Sequence, residues 1–172
     1  MDRRAFGMGA AASLTLAGCS SAPNRFQSYH GTGVTSVVIK KSARKMYLLH
    51  KDEVLREYKV GLGFTPEGAK TIEGDGKTPE GVYVINRHNP NSSYHLSVGI
   101  SYPNRQDMAE ANAIGKSPGG DIFIHGLPND AKERRRAVWR HDWTAGCIAV
   151  DNAEIEEIYA MVKDGTSIFL RS

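Results

Sequence analysis

From residue 34 onward the chain alternates short apolar runs with turn residues, and within the runs apolar and polar positions alternate with the two-residue period of half-buried strands. Residues 34–40, 45–50 and 54–60 each predict a strand, with Lys51-Asp52 as a turn between the last two, so the domain opens as a β-meander. Residues 61–81 break this texture with Gly, Pro and charge and predict a long loop. A strand over 82–86, a polar loop over 87–93, a strand over 94–100 and a short apolar strand over 121–125 follow. Two stretches change to helical spacing. Met108, Ala109, Ala111 and Ala113 suit one short helix over 106–114, stopped by Gly115. Ile155, Ile158, Tyr159 and Val162 recur at i, i+3, i+4 and i+7 behind Asp151 and Glu154, which stand at capping-box spacing. Gly165 ends that helix, and 167–170 predicts a last strand. The expected class is mostly β, with one or two short helices, the second packed behind the segment around Cys147.

The first 33 residues lie outside this pattern. Asp2-Arg3-Arg4-Ala5-Phe6 sets paired arginines before Phe, an apolar and small-residue run follows over 7–17, and Leu16-Ala17-Gly18-Cys19 closes it. A charged start, a short apolar run and small residues at the cut make an export signal. The run is shorter than the about 20 apolar residues a bilayer span requires. The arginine pair is similar to a twin-arginine signal, and Leu-Ala-Gly-Cys resembles the lipobox of bacterial lipoproteins, which implies acylation at Cys19 and anchorage in one leaflet. Ser20 carries no inner-membrane retention signal, which points to a periplasmic protein on the outer membrane. Residues 19–33 are rich in Ser, Gly, Pro, Asn and Gln and predict a flexible tether. The expected organisation is a signal over 1–18, a tether over 19–33 and one domain over 34–172.

Composition removes several function classes. A hydrophobic share of 40% and a charged share of 24% fit one globular domain. The net charge of +3 comes without a basic stretch interleaved with aromatic residues, so no nucleic-acid partner is expected. Gly76-Lys77-Thr78 lacks the rest of a phosphate loop, with Thr71 where a Gly is needed and Pro79-Glu80-Gly81 where a helix must start. No His pair has helical ligand spacing and no Cys pair is available, so neither a metal nor another cofactor is expected.

The cysteines are more informative. If Cys19 carries lipid, Cys147 remains as a single thiol in an oxidising compartment, and an exported chain that keeps one unpaired thiol has a use for it. It lies in Thr144-Ala145-Gly146-Cys147-Ile148, where the Gly lets backbone amides approach a substrate carbonyl. His125 ends the Phe123-Ile124-His125 run, just before a basic insert that returns to Cys147. If both lie at the ends of neighbouring strands, about 4.8 Å apart, the imidazole can take the thiol proton and activate the nucleophile. Amides around Gly146 and Cys147 are candidate oxyanion donors. The Gly126 carbonyl, Thr144 and Asp142 are candidates to orient the imidazole. His30, His50 and His88 read as ordinary structural or surface histidines, whereas His95, His141 and Arg140 are candidates for substrate contact.

His125-Gly126, a variable insert and Thr144-Ala145-Gly146-Cys147-Ile148 together resemble the signature of the L,D-transpeptidase catalytic domain, the YkuD type. The likeness extends to Arg44-Lys45-Met46-Tyr47-Leu48, to the Gly61–Gly63 turn and to Lys77-Thr78-Pro79-Glu80-Gly81, and so covers nearly all of residues 34–170. It implies a sandwich-like mixed β-sheet. It also implies attack by Cys147 on the bond between a diaminopimelate at the third position of a peptidoglycan stem peptide and the following D-amino acid. A thioester would form and pass to an amine, with His125 as base and acid and the Gly126 carbonyl holding the imidazole. Two positions depart from the usual signature: Ala145 stands where His is common, and Ala149 where Arg is common. A substrate carboxylate would then fall to Arg134, Arg135, Arg136 or Arg140.

Three functions follow in order of preference. The first is a lipid-anchored L,D-transpeptidase. The second is a hydrolase of the same linkage, since a subgroup similar at Ala145 and Ala149 detaches protein from peptidoglycan. The third is a non-catalytic peptidoglycan-binding lipoprotein, which has no need of a nucleophile and a base.

Overall fold

The computed structural model describes residues 24–138 and 141–172; the expected export signal, the lipobox-like segment with Cys19, and Arg140 lie outside the described residues. The elements in order are β1 (Ser36–Lys40), β2 (Lys45–His50), β3 (Glu53–Lys59), β4 (Gly81–Asn89), β5 (Ser97–Ile100), α1 (Arg105–Ala113), β6 (Phe123–His125), α2 (Ala131–Val138), β7 (Ile148–Ala149), α3 (Asn152–Met161) and β8 (Ser167–Arg171). The strands form one mixed sheet in the order β3-β2-β1-β8-β4-β5-β6-β7, with parallel pairs at β1–β8 and β6–β7 and antiparallel pairs elsewhere. The sheet curls back on itself, because Gly61, just beyond β3, bridges to Ala149 in β7 at the far end of the order.

One core fills the curl. Val37 and Ile39 of β1, Met46 and Leu48 of β2, and Ile168 and Leu170 of β8 meet Ile124 and Ile148 from β6 and β7. Alternation then sends the intervening residues outward on both halves. Ile155, Ile158 and Met161 of α3 join the same core and place that helix against β5 and β6, with the Glu154 carboxylate accepting the Asp151 N–H at 2.8 Å at its start.

The sequence pattern anticipates the opening meander, α1 and α3, and three departures have local causes. Residues 94–96 do not extend β5, because the backbone turns at His95 (φ 67°), whose N–H is held by Asn129 Oδ1 at 3.0 Å. β4 continues through Arg87 and His88, where a polar loop was expected, since β5 pairs with it as far as Asn89↔Ser97. The basic insert contains α2, started by Asp130, whose carboxylate accepts the N–H groups of Lys132 and Glu133 at 2.9 and 2.8 Å. Residues 24–33 form no helix or strand, yet they touch the domain: the Phe26 ring lies 6.2 Å from that of Tyr159, and Gln27 donates to Glu156 at 3.2 Å.

Residues 61–80, as expected, form a loop without a strand, and buried charge organises it. The Asp75 carboxylate accepts the N–H groups of Thr71, Ile72 and Lys77 and the ammonium of Lys70. Lys41, only 2% exposed, donates to the carbonyls of Gly68 and Thr78 and to Glu80 at 2.6, 2.9 and 2.9 Å, tying the loop to the end of β1.

Candidate active site

The parallel register pairs Ile124 with Ile148 and His125 with Ala149, so Cys147 leads into β7 directly beside Phe123 and His125. Because Ile124 and Ile148 point into the core, Phe123, His125 and Cys147 occupy the outer side of this half of the sheet. Cys147 and His125 line the same cavity of about 380 Å³, with Tyr94, Trp143 and Arg136 in its walls, and both also line a second of about 270 Å³ bounded by Ser92, Ser97 and Asp121.

The turn that presents Cys147 is tightly fixed. Thr144 Oγ1 donates to the Cys147 carbonyl at 2.7 Å and accepts the Gly146 N–H at 3.1 Å, while the Thr144 backbone pairs with Leu62 and Phe64. Gly146 has φ 136°, and a Cβ there would stand 2.7 Å from the Lys77 carbonyl, so only glycine fits. The Gly146 N–H is therefore engaged by Thr144, which makes this residue part of the frame of the turn. Asp142 accepts from the Leu62 N–H and receives a bidentate pair from Arg44 at 2.9 to 3.1 Å, so it secures the approach to the turn and makes no bond to the imidazole.

His125 is held by its other nitrogen. Nδ1 lies 2.7 Å from the Gly126 carbonyl. A carbonyl only accepts, so Nδ1 carries the proton and Nε2 keeps its lone pair. The ring packs between Tyr94, centroids 4.5 Å apart, and the edge of Trp143, 5.5 Å away. Tyr94 also accepts the Gly126 N–H through its carbonyl at 3.1 Å. Burial lowers the His125 pKa to about 4, against a partial upward pull from the Gly126 hydrogen bond. Burial raises the Cys147 thiol, opposed by the Phe123 N–H, which points to Sγ at 3.4 Å. The resting pair is thus a thiol and a neutral imidazole.

The remaining candidates divide clearly. The His95 ring faces α3 and meets Glu156 at 2.6 Å, away from the two Cys147 cavities. His141 is exposed and lines a neighbouring cavity with Gly61 and Trp143. Of the described arginines in the insert, Arg136 reaches the Cys147 cavity, whereas Arg134 is spent on the carbonyls of Pro128 and Asn129. Tyr94 and Trp143 were not singled out in the sequence; a ring contact between distant segments leaves no spacing signal. Among the described residues no group of three or more His, Cys, Asp or Glu side chains could hold a metal ion.

With this geometry in view, the comparison with known proteins is direct: the L,D-transpeptidase catalytic domain model matches residues 34–170. The chain belongs to that family. YafK of Escherichia coli strain K12, a candidate L,D-transpeptidase, is 30% identical over 112 residues, 64% of this chain and 38% of YafK. The crystal structure of the helical cell shape determining protein Pgp2 of Campylobacter jejuni superposes with a TM-score of 0.62 at 31% identity, over 87% of this chain and 51% of Pgp2. An L,D-transpeptidase from Mycobacterium smegmatis, at 15% identity and a TM-score of 0.51 over 79% of this chain and 58% of its own, shares the fold. The chain thus spans 38% of the length of YafK and about half of that of Pgp2.

Proposed function

We propose that this L,D-transpeptidase-family protein performs cysteine-dependent acyl transfer on peptidoglycan stem peptides. The observation that carries the reading is the shared cavity wall of Cys147 and His125, with Nδ1 fixed on the Gly126 carbonyl and Nε2 left basic. Substrate binding displaces water from this cavity, and Nε2 takes the thiol proton as Sγ attacks the diaminopimelate carbonyl that is bonded to the D-amino acid. The Cys147 N–H serves as donor to the developing oxyanion in this reading, since the Gly146 N–H is engaged by Thr144. The imidazolium then protonates the leaving D-amino acid, leaving a thioester. An incoming amine, deprotonated by the same nitrogen, completes transfer.

Arg136, in the wall of the cavity, supplies a cation for a stem carboxylate, in place of the family arginine at the position of Ala149. Ala149 pairs with both His125 and Gly61 and lines the neighbouring cavity of about 550 Å³ beside His141 and Trp143. Hydrolysis is the second reading, favoured by Ala145 and Ala149: water in place of the amine turns the same thioester over to a free acid. The export signal, the lipobox at Cys19 and a periplasmic outer-membrane location complete the proposal.

The two readings separate in one incubation of full-length protein carrying Cys19→Ser with a tetrapeptide stem and an amine acceptor. Transfer gives mainly cross-linked product and hydrolysis gives mainly the tripeptide. Turnover by the Cys147→Ala variant would overturn both.

A further inference from the structure

The outer face of β3, β2, β1, β8 and β4 lies across the core from Cys147, and the strand register sorts its side chains into rows. One row is basic: Lys59 pairs with Lys45, Lys45 with Lys40, and Lys40 with Arg171, so four cations stand side by side across four strands. The neighbouring row starts with Glu57 on β3 and is apolar and aromatic from there on: Tyr47 opposite Val38, Val38 opposite Phe169, and Phe169 opposite Val82, which is 60% exposed. Lys40 and Arg171 lie over the rings of Tyr47 and Phe169, at 5.6 and 5.8 Å. Like charges placed directly opposite one another weaken a sheet. Only Lys45 is relieved, by Glu57 at 2.5 Å; Lys40, Lys59 and Arg171 have no ion pair among the described residues. Among the described residues no helix packs on this face, and α3 lies against β5 and β6.

We infer that this face is a docking surface for an anionic lipid bilayer, its basic row meeting lipid phosphates and its aromatic and valine row resting at the headgroup level. Charge complementarity selects the occupant: a row of four cations, three of them without an ion pair among the described residues, beside an apolar row matches a negatively charged membrane interface. The row spans three strand spacings of about 4.8 Å each, so it meets several headgroups at once. Docked in this way, the protein presents Cys147, on the opposite outer face, away from the membrane. The inference is separate from the acyl-transfer proposal and needs neither acylation of Cys19 nor turnover.

The test is co-sedimentation of full-length protein carrying Cys19→Ser with vesicles of 30% phosphatidylglycerol in phosphatidylcholine and with vesicles of phosphatidylcholine alone. The expected result is binding to the anionic vesicles that weakens as salt rises, and a loss of about fivefold for each cation neutralised in Lys40→Gln, Lys59→Gln and Arg171→Gln. Val82→Ser weakens binding without changing its salt dependence. Thiol labelling of Cys147 at an unaltered rate shows that the variants remain folded. Binding to neutral vesicles of equal strength, or anionic binding unchanged in the triple variant, would overturn the inference. So would binding of the row to purified peptidoglycan with none to vesicles. Competition by millimolar inorganic phosphate equal to that by lipid would reduce it to a site for a free anion.

Discussion

His125 and Cys147 are legible in the sequence as types, a lone thiol beside a glycine and a histidine at the end of an apolar run; their protonation states are not, since these depend on burial. A neutral imidazole with a pKa of about 4 changes the expected pH behaviour. The unfolded chain takes up the proton near the ordinary histidine value of 6.5, above the folded value, so acid favours unfolding: stability is full above pH 6.5 and is lost as pH falls toward 4. The loss amounts to roughly 3 kcal/mol between pH 7 and pH 4 at 1.36 kcal/mol per unit. Urea unfolding at the two pH values measures it, and His125→Gln is expected to abolish that part of the acid sensitivity. In the same way kcat/KM should show no acidic limb near pH 6.5. A limb there would mean that the imidazole is solvated in the free enzyme. Gly146→Ala places a Cβ against the Lys77 carbonyl at a positive φ, and the cost of about 2 kcal/mol or more is expected with a fall in Cys147 labelling by iodoacetamide.

At the scale of elements, the strands and the first and last helices follow from periodicity, whereas the pieces that frame Cys147 come from contacts between distant segments. The bond from Thr144 Oγ1 to the Cys147 carbonyl spans three residues, but the turn also rests on Leu62, Phe64 and Lys77, which periodicity assigns to a featureless loop. Thr144→Val leaves the Gly146 N–H and the Cys147 carbonyl without their buried partner, at about 1–3 kcal/mol. It should lower kcat with little change in KM, and Thr144→Ser should restore most of it. The loop itself depends on Asp75, whose carboxylate is held below its ordinary pKa: burial alone would raise it, and the hydrogen bonds from Thr71, Lys70, Lys77 and Ile72 outweigh that effect. Asp75→Asn turns an amide NH₂ toward these donors, with an expected loss of about 2 kcal/mol in thermal or urea unfolding. An unchanged midpoint would show that the loop is not cooperative with the sheet.

For the whole molecule, curling of a single sheet creates two outer faces with different chemistry, one bearing Cys147 and His125 and the other the basic and aromatic rows. Neither row is visible along the chain, where Lys40, Lys45, Lys59 and Arg171 are scattered; register alone aligns them. The family is read from the motif, as are the positions of Cys147 and His125, proposed here as nucleophile and base. The identity of the group that holds the imidazole, left open among Gly126, Thr144 and Asp142 by the residues alone, becomes clear only when Thr144 and Asp142 are found bonded elsewhere.

The central claim is that Cys147 forms a covalent acyl intermediate. Intact mass spectrometry of the Cys19→Ser protein, quenched in acid during turnover of a tetrapeptide-stem muropeptide, tests it most directly. The account predicts an adduct equal to the muropeptide without its terminal D-amino acid, mapped to Cys147, released by hydroxylamine and missing in Cys147→Ala. Release of the D-amino acid with no adduct at any quench time, or the same adduct on the Cys147→Ala protein, would contradict it.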